Sequence, residues 1–460
     1  MEQSNTPQQE KQQSNRFTYW LKTSITARML MVGFLVIVLL IPLSYINSLI
    51  RERSFRQTDV VNEINEKWGD EVLIYGPVLK LPYKTYSEKT TYNDKTKTYL
   101  TETETHINYA YIFPEKLDLD SKLNSKSMYL GNFESSVYTS KTNINGTFGI
   151  PSLQSKDIKV EDIQFEKATI IYKTTNLKGI KTEMAITLNG NSYNFETNFN
   201  DSRNTKNRLE ELETSHLNKD LFSSKIDFNM NVTYDGSRTF QIIPVGKTTT
   251  LKMESNWSDP KFIGAYSDND ETRNINPDGF TADWKVLSIN RAFSQLYLNA
   301  MPNLGQFAFG TEFVVLVDEY QKSERSAKYG FLVIGLTFLI FFLIQTMSKI
   351  HIHPFQYLMI GLALTMFYTL LVSISEHSNF LKAYLVAGIS VVVLITLYSK
   401  SILKSLKFSG FIGMSLTALY TFIYVIIQLE NYALLVGSIG LFLILASVMF
   451  VSRKIDWHND

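Results

Sequence analysis

Cysteine is absent from the 460-residue chain. That excludes disulfides, zinc–thiolate centres, iron–sulfur clusters and cysteine nucleophiles. A charge excess is also missing: 45 Lys and Arg oppose 44 Asp and Glu, for a net charge of +1. Such a balance supplies no global field to gather nucleic acid. The phosphate-loop, G-x-S-x-G and H-E-x-x-H patterns do not occur. Histidine is scarce, with six in the chain.

What is present is sharply divided. The mean hydropathy of −0.06 suits a soluble protein, yet it averages two unlike kinds of sequence. Residues 1–28 and 51–328 are polar; residues 29–50 and 329–452 are strongly apolar. The run 29–50 reads as a first transmembrane helix that also serves as a signal anchor, because a polar tail at 1–28 precedes it and no small-x-small cleavage site follows. Five more spans are expected at 329–347, 355–374, 380–398, 409–427 and 432–452, each near the roughly 20 residues needed to cross the hydrocarbon core.

Basic residues in the short loops predict orientation. Lys349, Lys400, Lys404, Lys407, Arg453 and Lys454 fall on one side, while the alternating loops carry Glu376 and Glu430 and neither Lys nor Arg. With six spans, both termini are expected in the cytoplasm, including a C-terminal tail at 453–460, and residues 51–328 outside it. At roughly 275 residues that segment is large enough to fold without disulfides.

The outer segment opens with "RERSFRQTDVVNEINEKW", which reads as a continuation of the first helix to a stop at Gly69. The period then changes from helical to two. "EVLIYGPVLKLPYKTY" reads as strand, turn, strand. Hairpin turns are expected at Asn93-Asp94, Asn189-Gly190 and Asp235-Gly236. Alternation predicts antiparallel sheets with one face buried, as a sandwich or a large curved sheet. Asp318 and Gln321 suggest a capping box leading into the second span. The fold class is therefore an α+β membrane protein: six transmembrane helices (1 + 5), with a mainly antiparallel, β-rich extracytoplasmic domain at 51–328 inserted between the first and second spans.

Candidate chemistry is sparse. His351 and His353 have a spacing that can supply two metal ligands, but they fall on the opposite side from His377, and Pro354 offers a capping role instead. Glu376-His377 ends the third span at the outer interface. It reads as a proton-relay or catalytic pair, or as a structural element docking the β domain through Arg51, Arg53, Arg325 or Lys328. A relay needs further charged groups, and no Asp, Glu, His, Lys or Arg lies between Gln356 and Glu376. "GPVLKLPY" and "NWSDPKFIGAY" suggest an outer cleft at Gly76, Pro77, Tyr83, Trp257 and Trp284, or turn geometry and core packing.

The ordered set "EINEKWGDEVLIYGPVLKLPY", "DGSRTFQIIPVGKTTTLKMESNWSDPKFIGAY", "GFTADWKV", "LVDEYQKSERSAKYGFLVIGLTFLIFFLIQT", "IHPFQYLMIGLALTMFYTLLVSISEH" and "FLKAYLVA" resembles the CreD family of bacterial inner membrane proteins, the cell envelope integrity family. The resemblance covers most of residues 60–400. It implies an inner membrane protein under an envelope- and nutrient-responsive two-component system, associated with colicin tolerance, cell shape and the β-lactam response. It implies no catalytic residue, metal or cofactor. The expected partners are the lipid bilayer and other envelope proteins or cell-wall components, with no nucleic acid, and oligomeric state is left open. Three functions follow: a non-enzymatic envelope protein whose outer domain binds or scaffolds, a transporter or lipid-handling protein, or an enzyme on an envelope substrate.

Overall fold

The structure is a computed structural model that describes residues 24–93, 97–197, 209–314, 319–348, 350–429 and 432–453. Residues 1–23 of the polar tail, Asp94 of the first hairpin turn, Asp318 of the capping box, Lys349, Glu430 and residues 454–460 lie outside them. The chain forms two compact units, residues 1–58 with 318–460, and residues 59–317.

The helical unit contains most of α1 (Ile25–Trp68), then α2 (Glu319–Lys328), α3 (Gly330–Ser348), α4 (Pro354–Ser375), α5 (Phe380–Leu403), α6 (Leu406–Gln428) and α7 (Ala433–Ser452). Six helices among the described residues are long and apolar enough to cross a membrane, α2 and α3 counting as one from Tyr320 to Ser348. Local chemistry sets their ends. Pro354 occupies the first turn of α4, where its missing N–H costs nothing, and the ring of His353 accepts the Phe355 N–H at 3.2 Å. Gln356 closes the box by accepting the His353 N–H at 2.8 Å. Asn379 caps α5 by accepting from the Lys382 N–H at 3.0 Å.

The second unit is β-rich. Its strands are β1 (Val72–Asn93), β2 (Thr98–Ile112), β3 (Lys116–Leu130), β4 (Phe133–Phe148), β5 (Thr169–Thr174), β6 (Ala185–Leu188), β7 (Asn191–Thr197), β8 (Glu210–Thr214), β9 (Ile226–Ser237), β10 (Thr239–Ile242), β11 (Thr248–Ser255), β12 (Pro260–Gly264), β13 (Asn274–Asn276), β14 (Gly279–Leu287), β15 (Leu296–Leu298) and β16 (Phe309–Phe313). They join into one sheet in the order β12-β16-β10-β1-β5-β8-β7-β6-β9-β4-β3-β11-β14-β13, with β2 and β15 branching from β1. Pairing is antiparallel except for β1 with β10 and β3 with β11. Alternate side chains converge on one core, which includes Trp284, Tyr138, Tyr172, Tyr234 and Phe309.

Two expected turns are not turns. Gly76-Pro77 does not separate two strands; β1 runs straight through, with an irregularity in its pairing to β5 between Tyr75 and Val78. A proline can sit there because the bulge leaves its position without a ladder bond. Asp235-Gly236 also stays within a strand, opposite Thr139 and Tyr138 of β4. Gly236 is small because a Cβ would lie 2.6 Å from Cζ of Tyr138. The third turn, Asn189-Gly190, is a hairpin as expected, with positive φ at both residues.

The final turns of α1 belong to this unit. Ile64 and Asn65 are buried, Ser135 donates to Asn65 Oδ1 at 2.6 Å, and the Trp68 indole donates to the Tyr138 carbonyl at 3.3 Å. Gly69 ends the helix at φ +152°, and a Cβ there would lie 2.2 Å from the Asp235 carbonyl oxygen.

Candidate functional site

At one end of the helical unit, five charged side chains tie three helices together. Glu376 caps the C-terminus of α4, and its Oε1 lies 3.4 Å from Arg53 Nε on α1. In the same group, Glu324 of α2 receives both Arg51 Nε at 3.6 Å and Lys328 Nζ at 3.3 Å. The Tyr320 hydroxyl is within electrostatic range of Glu376 and Arg53. Arg325 donates to the Leu429 carbonyl at 3.3 Å, adding the end of α6 to the same set. Arg51, Arg325, Lys328 and Glu376 thus each have a partner inside the helical unit. His377 is exposed, and its backbone N–H donates to the Ile374 carbonyl. Glu324 was not singled out from sequence; the signal available was its i, i+4 spacing to Lys328.

Behind this belt the bundle interior is aromatic. Phe367 packs against Tyr420 at 4.5 Å and Tyr384 at 5.2 Å between ring centroids. Tyr384 donates to the Tyr420 carbonyl at 2.9 Å, and Tyr357 to Gln345 Oε1 at 2.8 Å. These bonds satisfy hydroxyls that would otherwise be costly in a hydrocarbon-like interior. His353 is occupied as a helix cap. Among the described residues, no three His, Asp or Glu side chains come together in a group able to hold a metal ion.

In the β-rich unit, Gly76, Pro77, Tyr83 and Trp284 are buried, and Trp257 is half-buried. The Tyr83 hydroxyl bonds to Asn299 Oδ1 at 3.1 Å, and the Trp257 indole donates to the Val314 carbonyl at 3.1 Å. Trp284 packs edge-on to Phe262 at 5.4 Å. Tyr83 and Trp284 belong to the core of this unit, and Trp257 packs against it.

The exposed chemistry of this unit lies elsewhere. Beyond Lys80, apart from one isolated bridge, β1 pairs among the described residues with β2 alone, from Leu81↔Ala110 to Asn93↔Thr98. β5 reaches no further than Lys80, and β15 pairs no further than Ala110. Past an isolated bridge from Tyr83 to Ile163, the two strands form a two-stranded ribbon, exposed from Tyr86 to Thr91 and from Thr101 to Ile107. Tyr86 and Tyr99 are 58% and 75% exposed. The Tyr86 hydroxyl is tied back to the body, donating to Asp162 Oδ1 at 2.8 Å.

One half-buried and one buried cation carry unusual electrostatics. Lys80 Nζ bonds Glu213 at 2.9 and 3.1 Å. Burial alone would lower the lysine, but the hydrogen bond and charge of Glu213 hold it above its ordinary range. Arg291 is 7% exposed, lies 4.0 Å over the Phe293 ring, and donates through Nη2 to the Val245 and Gly246 carbonyls. Its Nε and Nη1 have no hydrogen-bond partner among the described residues. Burial therefore pushes its pKa down.

Comparison with known proteins places these features in a family. The family model for inner membrane protein CreD matches residues 24–458. The chain is 28% identical over 452 residues to the inner membrane protein CreD of Escherichia coli (strain K12), covering 95% of each chain. A solved chain from Legionella pneumophila, described as a candidate nutrient binding protein, aligns with a TM-score of 0.23 at 8% identity, over 50% of this chain and 77% of that one. With six apolar helices, an inserted β-rich domain and a family match across nearly its whole length, the chain belongs to the CreD family of inner membrane proteins.

Proposed function

We propose that the protein is a non-enzymatic module of the cell envelope, held in the inner membrane by its helices, with the β-rich unit on the periplasmic side binding or scaffolding other envelope components in support of envelope integrity. Both termini then face the cytoplasm, as the loop lysines favour. The observation that carries the reading is the β1–β2 ribbon. A two-stranded hairpin buries little and is marginal alone. This one is long, solvated on both faces and decorated with Tyr86 and Tyr99. Free strand edges beside exposed tyrosines suit strand addition and aromatic anchoring to a partner.

Packing weighs against a central transport path, since Phe367, Tyr384 and Tyr420 fill the space among α4, α5 and α6. The belt around Glu376 is read as structural, because its carboxylate faces the Arg53 guanidinium. Photo-crosslinking in living cells tests the proposal. A benzophenone amino acid at Tyr86 or Tyr99 should give discrete adducts with an envelope protein or cell-wall polymer. The same group at Val393, on α5, should give lipid adducts only. Adducts with partners at Val393 and none at the ribbon would overturn the proposal.

A further inference from the structure

The last helix is almost unattached. None of the residues of α7 is buried. Its close contact with α6 is made at Gly440, where a Cβ would lie 2.1 Å from the Phe422 ring. A groove of about 970 Å³ therefore opens between α3, α6 and α7. Its walls are apolar, among them Leu336, Leu343, Phe411, Phe422 and Leu443, with Ser415 and Ser447 as the polar exceptions along its length. One cation, Lys407, lines it.

The placement of that lysine is informative. Met347 is the penultimate residue of α3, Lys407 the second of α6 and Val451 the penultimate of α7, so all three mark the same end of the groove. Arg453 follows α7 by one residue, and Lys404 precedes α6 by two. All three cations are exposed, and no carboxylate forms an ion pair with them among the described residues. The groove thus has hydrocarbon-like walls and a basic mouth at the depth of a helix end, the pattern that holds acyl chains and an anionic headgroup together.

We infer that this groove is a binding site for an anionic phospholipid, its acyl chains lying along α3, α6 and α7 and its phosphate at Lys407, with Arg453 and Lys404 beside it. The inference stands apart from the binding role of the β unit. On the proposed orientation the headgroup belongs to the cytoplasmic leaflet.

The test is native mass spectrometry of the full chain released from nanodiscs of phosphatidylcholine and phosphatidylglycerol in equal amounts. The wild type should retain phosphatidylglycerol in preference. Lys407→Gln should cut that preference about fivefold, the factor for one basic side chain at a membrane surface, while Val393→Trp on α5 leaves it unchanged. Ser415→Trp, which fills the groove, should remove the retained lipid of both kinds. Equal retention of the two lipids by the wild type, or an unchanged preference in Lys407→Gln, would overturn the inference. So would a dimer that Ser415→Trp converts to monomer without loss of lipid, which would assign the groove to a second copy of the chain. Because Lys407 is an exposed side chain, its variant reports even if Ser415→Trp does not fold.

Discussion

Glu376 and Arg53 show how a pair of charges at a helix end can be structural and still modest. Glu376 is 25% exposed and Arg53 39%, so solvent screens their attraction. A half-solvated pair is worth about 0.2–1 kcal/mol. Glu376→Gln and Arg53→Gln should each lower thermal stability in detergent by that order, and the double variant by less than their sum. His377→Ala should leave it unchanged. Arg291 is the opposite case. Its guanidinium is buried without a carboxylate, and burying an uncompensated charge costs several kcal/mol. Arg291→Met keeps the length and the stacking on Phe293 while discarding the charge. The β unit should then unfold at higher denaturant concentration; a clear fall in the midpoint would mean that the two carbonyl bonds outweigh the desolvation. Gly69→Ala should destabilise by about 1–3 kcal/mol from backbone strain alone, read as a lower midpoint in the same measurement. Glu376 was legible in the sequence because a charge at the end of an apolar run is conspicuous. Arg291 was not, because nothing in "NRAFSQLY" tells which arginine will be buried.

At the scale of elements, period carried most of the information. The helices were readable because length and hydropathy alone set a membrane span, and α1 was readable through to Gly69 because Val61, Ile64 and Trp68 share a face. The strands were harder. In β3 and β4 the buried positions are held by Ser121, Ser125, Ser135, Ser136 and Ser140 as well as by leucine and valine, so alternation of hydrophobicity is blurred. Gly76-Pro77 and Asp235-Gly236 have turn composition but strand conformation, because pairing on both sides outweighs local preference. Alkaline pH probes the same sheet. Burial pushes Tyr234 up to about 12, and it also raises Tyr138 and Tyr172. Lys80 is raised as well, by its bond to Glu213 against burial. Groups whose folded pKa lies above the unfolded value give stability that is whole below the unfolded pKa and is lost as pH rises through the folded one. The β unit should therefore hold its stability up to about pH 10, the unfolded value for tyrosine, and lose it between there and about 12. Exposed tyrosines should ionise first, and the remaining tyrosinate absorbance should change together with far-ultraviolet circular dichroism; tyrosinate appearing for all tyrosines well before unfolding would contradict the burial argument.

For the whole molecule, a β-rich unit is joined to helices that cross the inner membrane, and α1 runs from one unit into the other. The order of parts was legible because long apolar runs and period-two sequence do not resemble one another. The ribbon and the lateral groove were not, since each depends on which neighbours are missing in space. On the proposed orientation the β unit faces the periplasm, where a partner can reach its ribbon. The absence of cysteine allows a direct test with single-cysteine variants and a membrane-impermeant maleimide. In spheroplasts, Asn124→Cys in β3 and Ser378→Cys beyond α4 should label at once, and Lys404→Cys between α5 and α6 only after lysis. Labelling of Lys404→Cys in intact spheroplasts, with Asn124→Cys and Ser378→Cys protected until lysis, would contradict the account.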